Sequence, residues 1–239
     1  MRSQTALSLL AVGSLLAVCP SAGRIAAQEK QKPTVKVPDA GVPQIGTIEG
    51  VYVRAAYNNE GYVILGYRSA NESLGEEWML LEVGMTVRDK TPAFRLKRDA
   101  ITLSTPDGAK IPLPSVEDYR KANLAALQAR TNVMRDSIDY FPPMATRPCR
   151  IGFFSDTDSA AHAWDEVELD NSRACMGRLY FKVPGGIKYG QYFLNVQFPG
   201  SQVRVPFRIL TDEEEKMLEK NYKDIRKQVQ QAFAPKKGL

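Results

Sequence analysis

The stretch YGQYFLNVQFPGSQVRVPFRI, residues 189–209, decides the fold class. Apolar and polar side chains alternate through residues 189–198 and again through residues 202–209, and this is the period of a strand with one buried face. The dipeptide Pro199-Gly200 between the two runs is typical of a turn. The stretch therefore predicts two paired strands in a mainly β protein.

Further β-rich segments occur throughout residues 47–210. The run WMLLEVGMTV, residues 78–87, is apolar on both faces in its first half, which is typical of a strand at the centre of a sheet. The polar residues 58–61, Asn-Asn-Glu-Gly, separate two other β-rich runs and predict a hairpin. Many short strands with frequent turn signals favour one sandwich-like domain over residues 47–210.

A long helix is predicted inside this domain, over residues 116–139. Pro114 and Ser115 supply a stop signal and an N-cap, and Tyr140-Phe141-Pro142-Pro143 ends the helix. Apolar residues cover more than half of its helical wheel, which is wider than the stripe of an ordinary surface helix. We therefore expect this inserted helix to pack between two layers.

Two pairs of segments carry a resemblance to a known fold. WMLLEVGMTV (78–87) followed by FRLKRDAITLSTPDG (94–108) resembles uncharacterised exported bacterial domains with an immunoglobulin-like, telokin-like β-sandwich. GQYFLNVQF followed by VRVPFRI is similar to the last two strands of many immunoglobulin-like modules. The resemblance covers roughly residues 75–113 and 176–210, and it implies an immunoglobulin-like fold and no activity.

Residues 211–234 predict a C-terminal amphipathic helix. Thr211 and Glu214 have the spacing of a capping box, and acidic residues crowd the first turn. One thin apolar stripe runs along the helix, and its members are the predicted partner-binding residues: Leu218, Tyr222, Ile225, Val229 and Phe233. A long helix gains most of its stability by packing such a stripe. The stripe therefore either folds back onto the domain or contacts a protein partner or a second copy of the chain.

The N-terminal residues predict export. Residues 1–23 read as a signal peptide, because the apolar run from Thr5 to Cys19 is too short to span a bilayer and small residues precede Arg24. Lipidation at Cys19 is an alternative that Val18 disfavours. Residues 24–46 read as a Pro- and Lys-rich tether. No later run has the length of a transmembrane segment, so we expect a periplasmic or extracellular protein.

Composition narrows the class of partner. The chain has 239 residues with 44% hydrophobic and 25% charged side chains, which is ordinary for a soluble globular protein. The net charge of +5 is spread along the sequence, without a basic stripe interleaved with aromatic residues. We therefore expect no nucleic-acid partner.

The stretch from Pro148 to Gly177 contains two cysteines, an acidic run and the one histidine of the chain. In an exported protein, Cys149 and Cys175 are expected to form a disulfide. Six acidic residues are possible calcium ligands, but they lack the spacing of a calcium loop, so a solvated loop is favoured over a metal site: Asp156, Asp158, Asp165, Glu166, Glu168 and Asp170. His162 lacks the sequence context of a catalytic triad.

These patterns predict a non-catalytic protein that needs no cofactor. No phosphate-binding loop, dinucleotide fingerprint or nucleophile elbow is present in the sequence. The first hypothesis is an exported interaction or envelope accessory module. The alternatives are a secreted ligand- or carbohydrate-binding protein and a hydrolase that uses His162. The carbohydrate hypothesis depends on four aromatic residues, although the same residues read more simply as core: Trp78, Tyr180, Tyr189 and Tyr192.

Overall fold

The computed structural model describes residues 43–88, 90–154 and 163–233, with only the backbone at Phe233. The signal peptide predicted over residues 1–23 and nearly all of the predicted tether lie outside these ranges. Strand structure begins at Ile45, so the last two residues of the predicted 24–46 tether belong to the first strand.

Strands form most of the regular structure. In chain order they are β1 (Ile45–Gly50), β2 (Val53–Tyr57), β3 (Gly61–Gly66), β4 (Trp78–Val87), β5 (Phe94–Lys97), β6 (Ile101–Ser104), β7 (Lys110–Pro112), β8 (Arg147–Ile151), β9 (Glu166–Leu169), β10 (Arg173–Lys182), β11 (Gly190–Gln197) and β12 (Gln202–Ile209). The helices are α1 (Arg68–Asn71), α2 (Val116–Lys121), α3 (Ala125–Val133) and α4 (Asp212–Phe233). The predictions of a mainly β fold and of a C-terminal helix are confirmed.

The larger sheet has six strands in the order β1-β2-β3-β4-β10-β8. The predicted central position of the strand at residues 78–87 is confirmed, since β4 lies between β3 and β10. The predicted hairpin is also present between β2 and β3. Its turn is held by Asn58, whose Oδ1 accepts the backbone N–H groups of Glu60 and Gly61 at 2.9 Å each.

The second sheet has four strands in the order β12-β11-β6-β7. Residues 189–209 contain β11 and β12, which pair antiparallel from Gly190 opposite Ile209 to Gln197 opposite Gln202. A further two-stranded sheet joins β5 to β9. The hairpin predicted from the alternation of residues 189–209 is therefore confirmed.

One hydrophobic core receives side chains from both large sheets. Alternate residues of β4 (Leu81, Val83, Met85) and of β11 (Tyr192, Leu194, Val196) belong to the same buried cluster. Burial of apolar surface of this kind is the main source of folding free energy. The period of two seen in the sequence therefore corresponds to the buried face of each strand.

The other face of the larger sheet is also covered. Ile138, which follows α3 in the chain, packs against Val53, Ala55 and Ile64 in a second buried cluster, and Phe141 lies against it. This coverage shields the second face of the larger sheet from water, and every residue of β4 after Trp78 is buried.

The prediction of one long inserted helix over residues 116–139 is wrong. The segment forms two short helices, α2 and α3, separated at Ala122, whose ψ of 136° is that of an extended residue. Helix α3 ends at Val133, and beyond it Asp136 donates its backbone N–H to Glu82 Oε2 at 2.9 Å instead of to a carbonyl of the preceding turn. A hydrogen bond to the sheet has therefore overridden local helix propensity.

Candidate functional site

The disulfide predicted between Cys149 and Cys175 is confirmed. The two cysteines lie opposite each other in β8 and β10, which are parallel neighbours. The bond therefore joins the edge strand of the larger sheet to the strand beside it.

The free edge of β8 is protected against pairing with another strand. Arg147 directs its backbone N–H toward β10, where Ser172 O accepts it at 2.8 Å. The next residue, Pro148, therefore faces the free edge, where it offers no N–H. Natural sheets use proline in this way to discourage strand addition, so this edge is a poor candidate for binding a peptide.

The acidic stretch does not form a metal site in the described part of the chain. His162, Asp156 and Asp158 lie outside the described residues. The later acids are held by arginines at the surface: Glu166 accepts from Arg95 at 2.7 Å, and Asp170 lies 2.9 Å from Arg173. Within residues 43–88, 90–154 and 163–233, no three His, Cys, Asp or Glu side chains are grouped as metal ligands.

The aromatic residues considered for sugar binding are mostly buried. Tyr180 and Tyr192 are core residues, and Trp78 packs against the same core. Only Tyr189 of the four is exposed, at 48%. These residues therefore do not form the aromatic surface that the carbohydrate hypothesis requires, and their interpretation as core is supported for three of the four.

Helix α4 is anchored at its start by the predicted capping box. Thr211 N–H donates to Glu214 Oε2 at 3.1 Å, and Glu214 N–H donates to Thr211 Oγ1 at 3.3 Å. Arg208 also binds the Glu214 carboxylate at 2.7 Å, and together with the capping bonds it lowers the pKa of Glu214. These contacts fix the direction in which the helix leaves β12.

Helix α4 then runs along β1. The Tyr52 hydroxyl donates to the Glu215 carboxylate, and Arg226 Nη2 donates to Glu49 Oε2 at 2.8 Å. The predicted stripe residues Leu218, Tyr222, Ile225 and Val229 are all half-buried, whereas nothing is described of the Phe233 side chain. In the part of the chain with placed side chains, no residue of α4 is fully buried. Nor does any described helix have the length and apolar character to cross a bilayer.

A charged pocket on the larger sheet was missed by sequence reasoning. Glu82 of β4 lies opposite Arg178 of β10, with exposed fractions of only 8% and 9%. Arg178 Nε lies 3.9 Å from Glu82 Oε1, and Arg178 Nη2 donates to Asn132 Oδ1 at 2.8 Å. Burial of two charged side chains costs free energy of desolvation unless the opposite charges compensate each other.

The segment after α3 closes one side of this pocket. Arg135 Nε lies 3.9 Å from Glu82 Oε1, and the neighbouring Asp136 donates its N–H to Glu82 Oε2. The Asp136 carboxylate accepts the backbone N–H of Arg68 at 2.9 Å and its Nε at 3.3 Å. The cavity has a volume of about 360 Å³, and Asp139 and Arg150 also line it.

Burial raises the pKa values of both pocket carboxyls. For Glu82, the N–H of Asp136 and the charge of Arg178 act in the opposite direction but do not cancel the effect of burial. For Asp136, burial is again the largest cause, and Arg68 opposes it. Perturbed carboxyl groups in a cleft are a feature of functional sites, although structural ion pairs show it too.

We predict that Glu82→Gln changes the pH dependence of stability. A carboxyl whose pKa is higher in the folded chain than in the unfolded chain stabilises the fold fully at low pH, and this contribution is lost as the pH rises through the folded pKa. The wild-type chain is therefore expected to lose stability relative to Glu82→Gln as the pH rises above about 4, where unfolded carboxyls begin to ionise.

Urea unfolding of both proteins from acid to neutral pH measures this difference. The slope is limited to about 1.4 kcal/mol per pH unit for one group. Glu213→Gln, at an exposed position of α4, corrects for the change in net charge. A stability difference that stays constant over the whole range would contradict the prediction.

Sequence signals for this pocket exist, but they are incomplete. Glu82 is the one charge within WMLLEVGMTV, and Arg178 lies within the apolar run around residues 177–183. A lone charge in a buried strand indicates a partner, but only the strand register shows which one.

The comparisons with protein families, with curated proteins and with solved structures found no match for this chain.

Proposed function

We propose that this chain is an exported, non-catalytic interaction module that binds a protein partner through the apolar stripe of α4. The export part of the proposal draws on the signal-peptide pattern of residues 1–23 and on the disulfide between Cys149 and Cys175. We also propose an immunoglobulin-like sandwich as the architecture, on the ground that two large sheets share one core.

The incomplete burial of the α4 stripe carries the functional proposal. Apolar side chains that pack fully inside the fold have no contact with solvent, as the inner residues of β11 show. The stripe residues Leu218, Tyr222, Ile225 and Val229 instead keep part of their surface in water after packing on β1. A surface helix with a remaining apolar stripe is a recurrent element of protein recognition.

The length of α4 also favours a contact between this helix and a partner beyond the sheet. The 22 residues of α4 extend for about 33 Å, whereas the 6 residues of β1 extend for about 20 Å. Among the described side chains of α4, Arg226 is the last to make a polar contact with the sheet, through Glu49. From Lys227 onward, no described side chain of α4 forms a hydrogen bond or ion pair with the sheet, and the half-buried Val229 keeps part of its surface available to a partner.

The prediction is that Val229→Asp weakens partner binding without unfolding the domain. A carboxylate in the stripe would have to be desolvated on binding, which is expected to weaken the complex at least tenfold. Gln228→Asp, one residue away on the exposed side of the helix, introduces the same charge and is expected to bind like the wild type.

The measurement has two steps. Partners are captured from the host's envelope fraction with the full chain and then rebound as purified proteins to the wild type and to both variants. Light scattering of the isolated chain tests self-association through the same stripe. The proposal fails if the full chain captures nothing and is monomeric, or if Val229→Asp and Gln228→Asp retain the same partners equally.

A further inference from the structure

We propose that the pocket beside Glu82 and Arg178 binds a carboxylate-bearing ligand through the guanidinium groups of Arg178 and Arg135. The pocket is built from β4, β8, β10 and the segment that follows α3. It does not involve the stripe of α4, so this inference goes beyond the proposed function and is tested independently of it.

The two guanidinium groups both lie near Glu82, but neither donates a hydrogen bond from its Nε to the Glu82 carboxylate. Both Arg178 Nε and Arg135 Nε lie 3.9 Å from Glu82 Oε1, which is an ionic contact but too long for a hydrogen bond. Each guanidinium has five N–H donors in a fixed planar arrangement. A ligand oxygen placed between them can therefore accept hydrogen bonds that Glu82 does not accept.

Arg178 is also held in position. Its side chain is 8% exposed, and its Nη2 is fixed by Asn132 Oδ1. Arg135, with a side chain that is 68% exposed, stands at the open side of the pocket. One cation is thus buried and preoriented, while the other is free to adjust, and preorganisation of this kind lowers the cost of binding.

The acids of the pocket select the charge of the ligand. Asp136 is satisfied by Arg68, but its charge, like those of Glu82 and Asp139, still repels an anion. A second negative charge on the ligand group increases that repulsion. A planar carboxylate with one charge matches the guanidinium geometry and is repelled less than a phosphate, which carries more charge.

The size of the pocket fits a small ligand group. A volume of about 360 Å³ is at the lower end of the range for small-molecule sites, which begins at about 300 Å³. The carboxylate can belong to a free organic acid or to an acidic side chain of a peptide. The two sources share the chemistry that the arginines recognise, and the test separates them.

The test is a titration of the full chain, followed by the NMR signals of the arginine Nε–H groups at constant ionic strength. The probes are propionate, a blocked Gly-Glu-Gly peptide and inorganic phosphate. Saturable shifts of the Arg178 and Arg135 signals are expected, with a dissociation constant on the order of 1 mM for a carboxylate probe. Tighter binding of propionate indicates a free acid, and tighter binding of the peptide indicates an acidic side chain.

Two variants make the titration decisive. Arg135→Gln, at an exposed position that should not disturb folding, is expected to weaken carboxylate binding about tenfold. Arg120→Gln removes an exposed arginine of α2 that does not line the pocket, and it should leave the affinity unchanged. The inference is overturned by the absence of saturable shifts up to about 20 mM, by equal affinity in Arg135→Gln, or by phosphate binding at least as tightly as either carboxylate.

Discussion

Replacement of Tyr180 by alanine is expected to lower the free energy of unfolding by about 3–5 kcal/mol. Tyr180 is 0% exposed, and its ring centroid lies 4.9 Å from that of Tyr119 in α2 and 5.3 Å from that of Phe154. The ring therefore joins the inserted helical segment to the larger sheet. Its removal leaves a cavity and breaks the packing between these two parts.

Urea unfolding followed by fluorescence and circular dichroism measures the loss. Tyr180→Phe keeps the ring but removes the hydroxyl oxygen that accepts a hydrogen bond from Gln128 Nε2 at 3.4 Å. It is expected to lose only about 1 kcal/mol, the usual net value of a hydrogen bond. Tyr189→Ala, at a position that is 48% exposed, is expected to change stability by less than about 0.5 kcal/mol. Similar losses for Tyr180→Ala and Tyr189→Ala would contradict the assignment of Tyr180 to the core.

Loss of the disulfide is the second large effect. Opening the bond between Cys149 and Cys175, which are 26 residues apart, is expected to lower the free energy of unfolding by about 3 kcal/mol. The physical reason is that the bond restricts the unfolded chain, in which the two residues are otherwise far apart. The effect appears as a lower urea midpoint after reduction of the wild-type chain.

The double variant Cys149→Ala, Cys175→Ala provides the control. It should unfold at a similar midpoint with and without reductant, close to that of the reduced wild type. Cys175 is fully buried, so the double variant also loses some packing and is expected to be slightly less stable than the reduced wild type. A wild-type midpoint that does not respond to complete reduction would show that the bond contributes nothing to stability.

The parts of the fold predicted from sequence are those with a local signal. Alternation of apolar residues identified β11 and β12, and Asn58 with Gly61 identified the turn of the β2–β3 hairpin. In each case the pattern and the turn chemistry lie within a few residues of each other. The capping box of α4 was predicted for the same reason.

The parts that were not predicted depend on distant residues. The apolar pattern of residues 116–139 is helical throughout, but Asp136 exchanges its helical hydrogen bond for one with Glu82. The pocket itself requires that residue 82 lies opposite residue 178, and this register is set by all the pairs of β4 and β10 together. A short window of sequence shows the lone charge of Glu82, but it does not show which residues contact it.

The order of strands in the larger sheet determines when the chain can fold relative to its synthesis. β4 is flanked by β10, and β2 and β3 lie against β12, so the early strands depend on partners that the ribosome makes last. In a nascent chain that has reached Val87, β4 can pair with β3, but its other edge stays open until Arg173–Lys182 has emerged. Because these pairings join residues far apart in the sequence, we expect the chain to complete its folding late. A chain that remains unfolded while it is being made is also one that can be threaded through a narrow translocation pore.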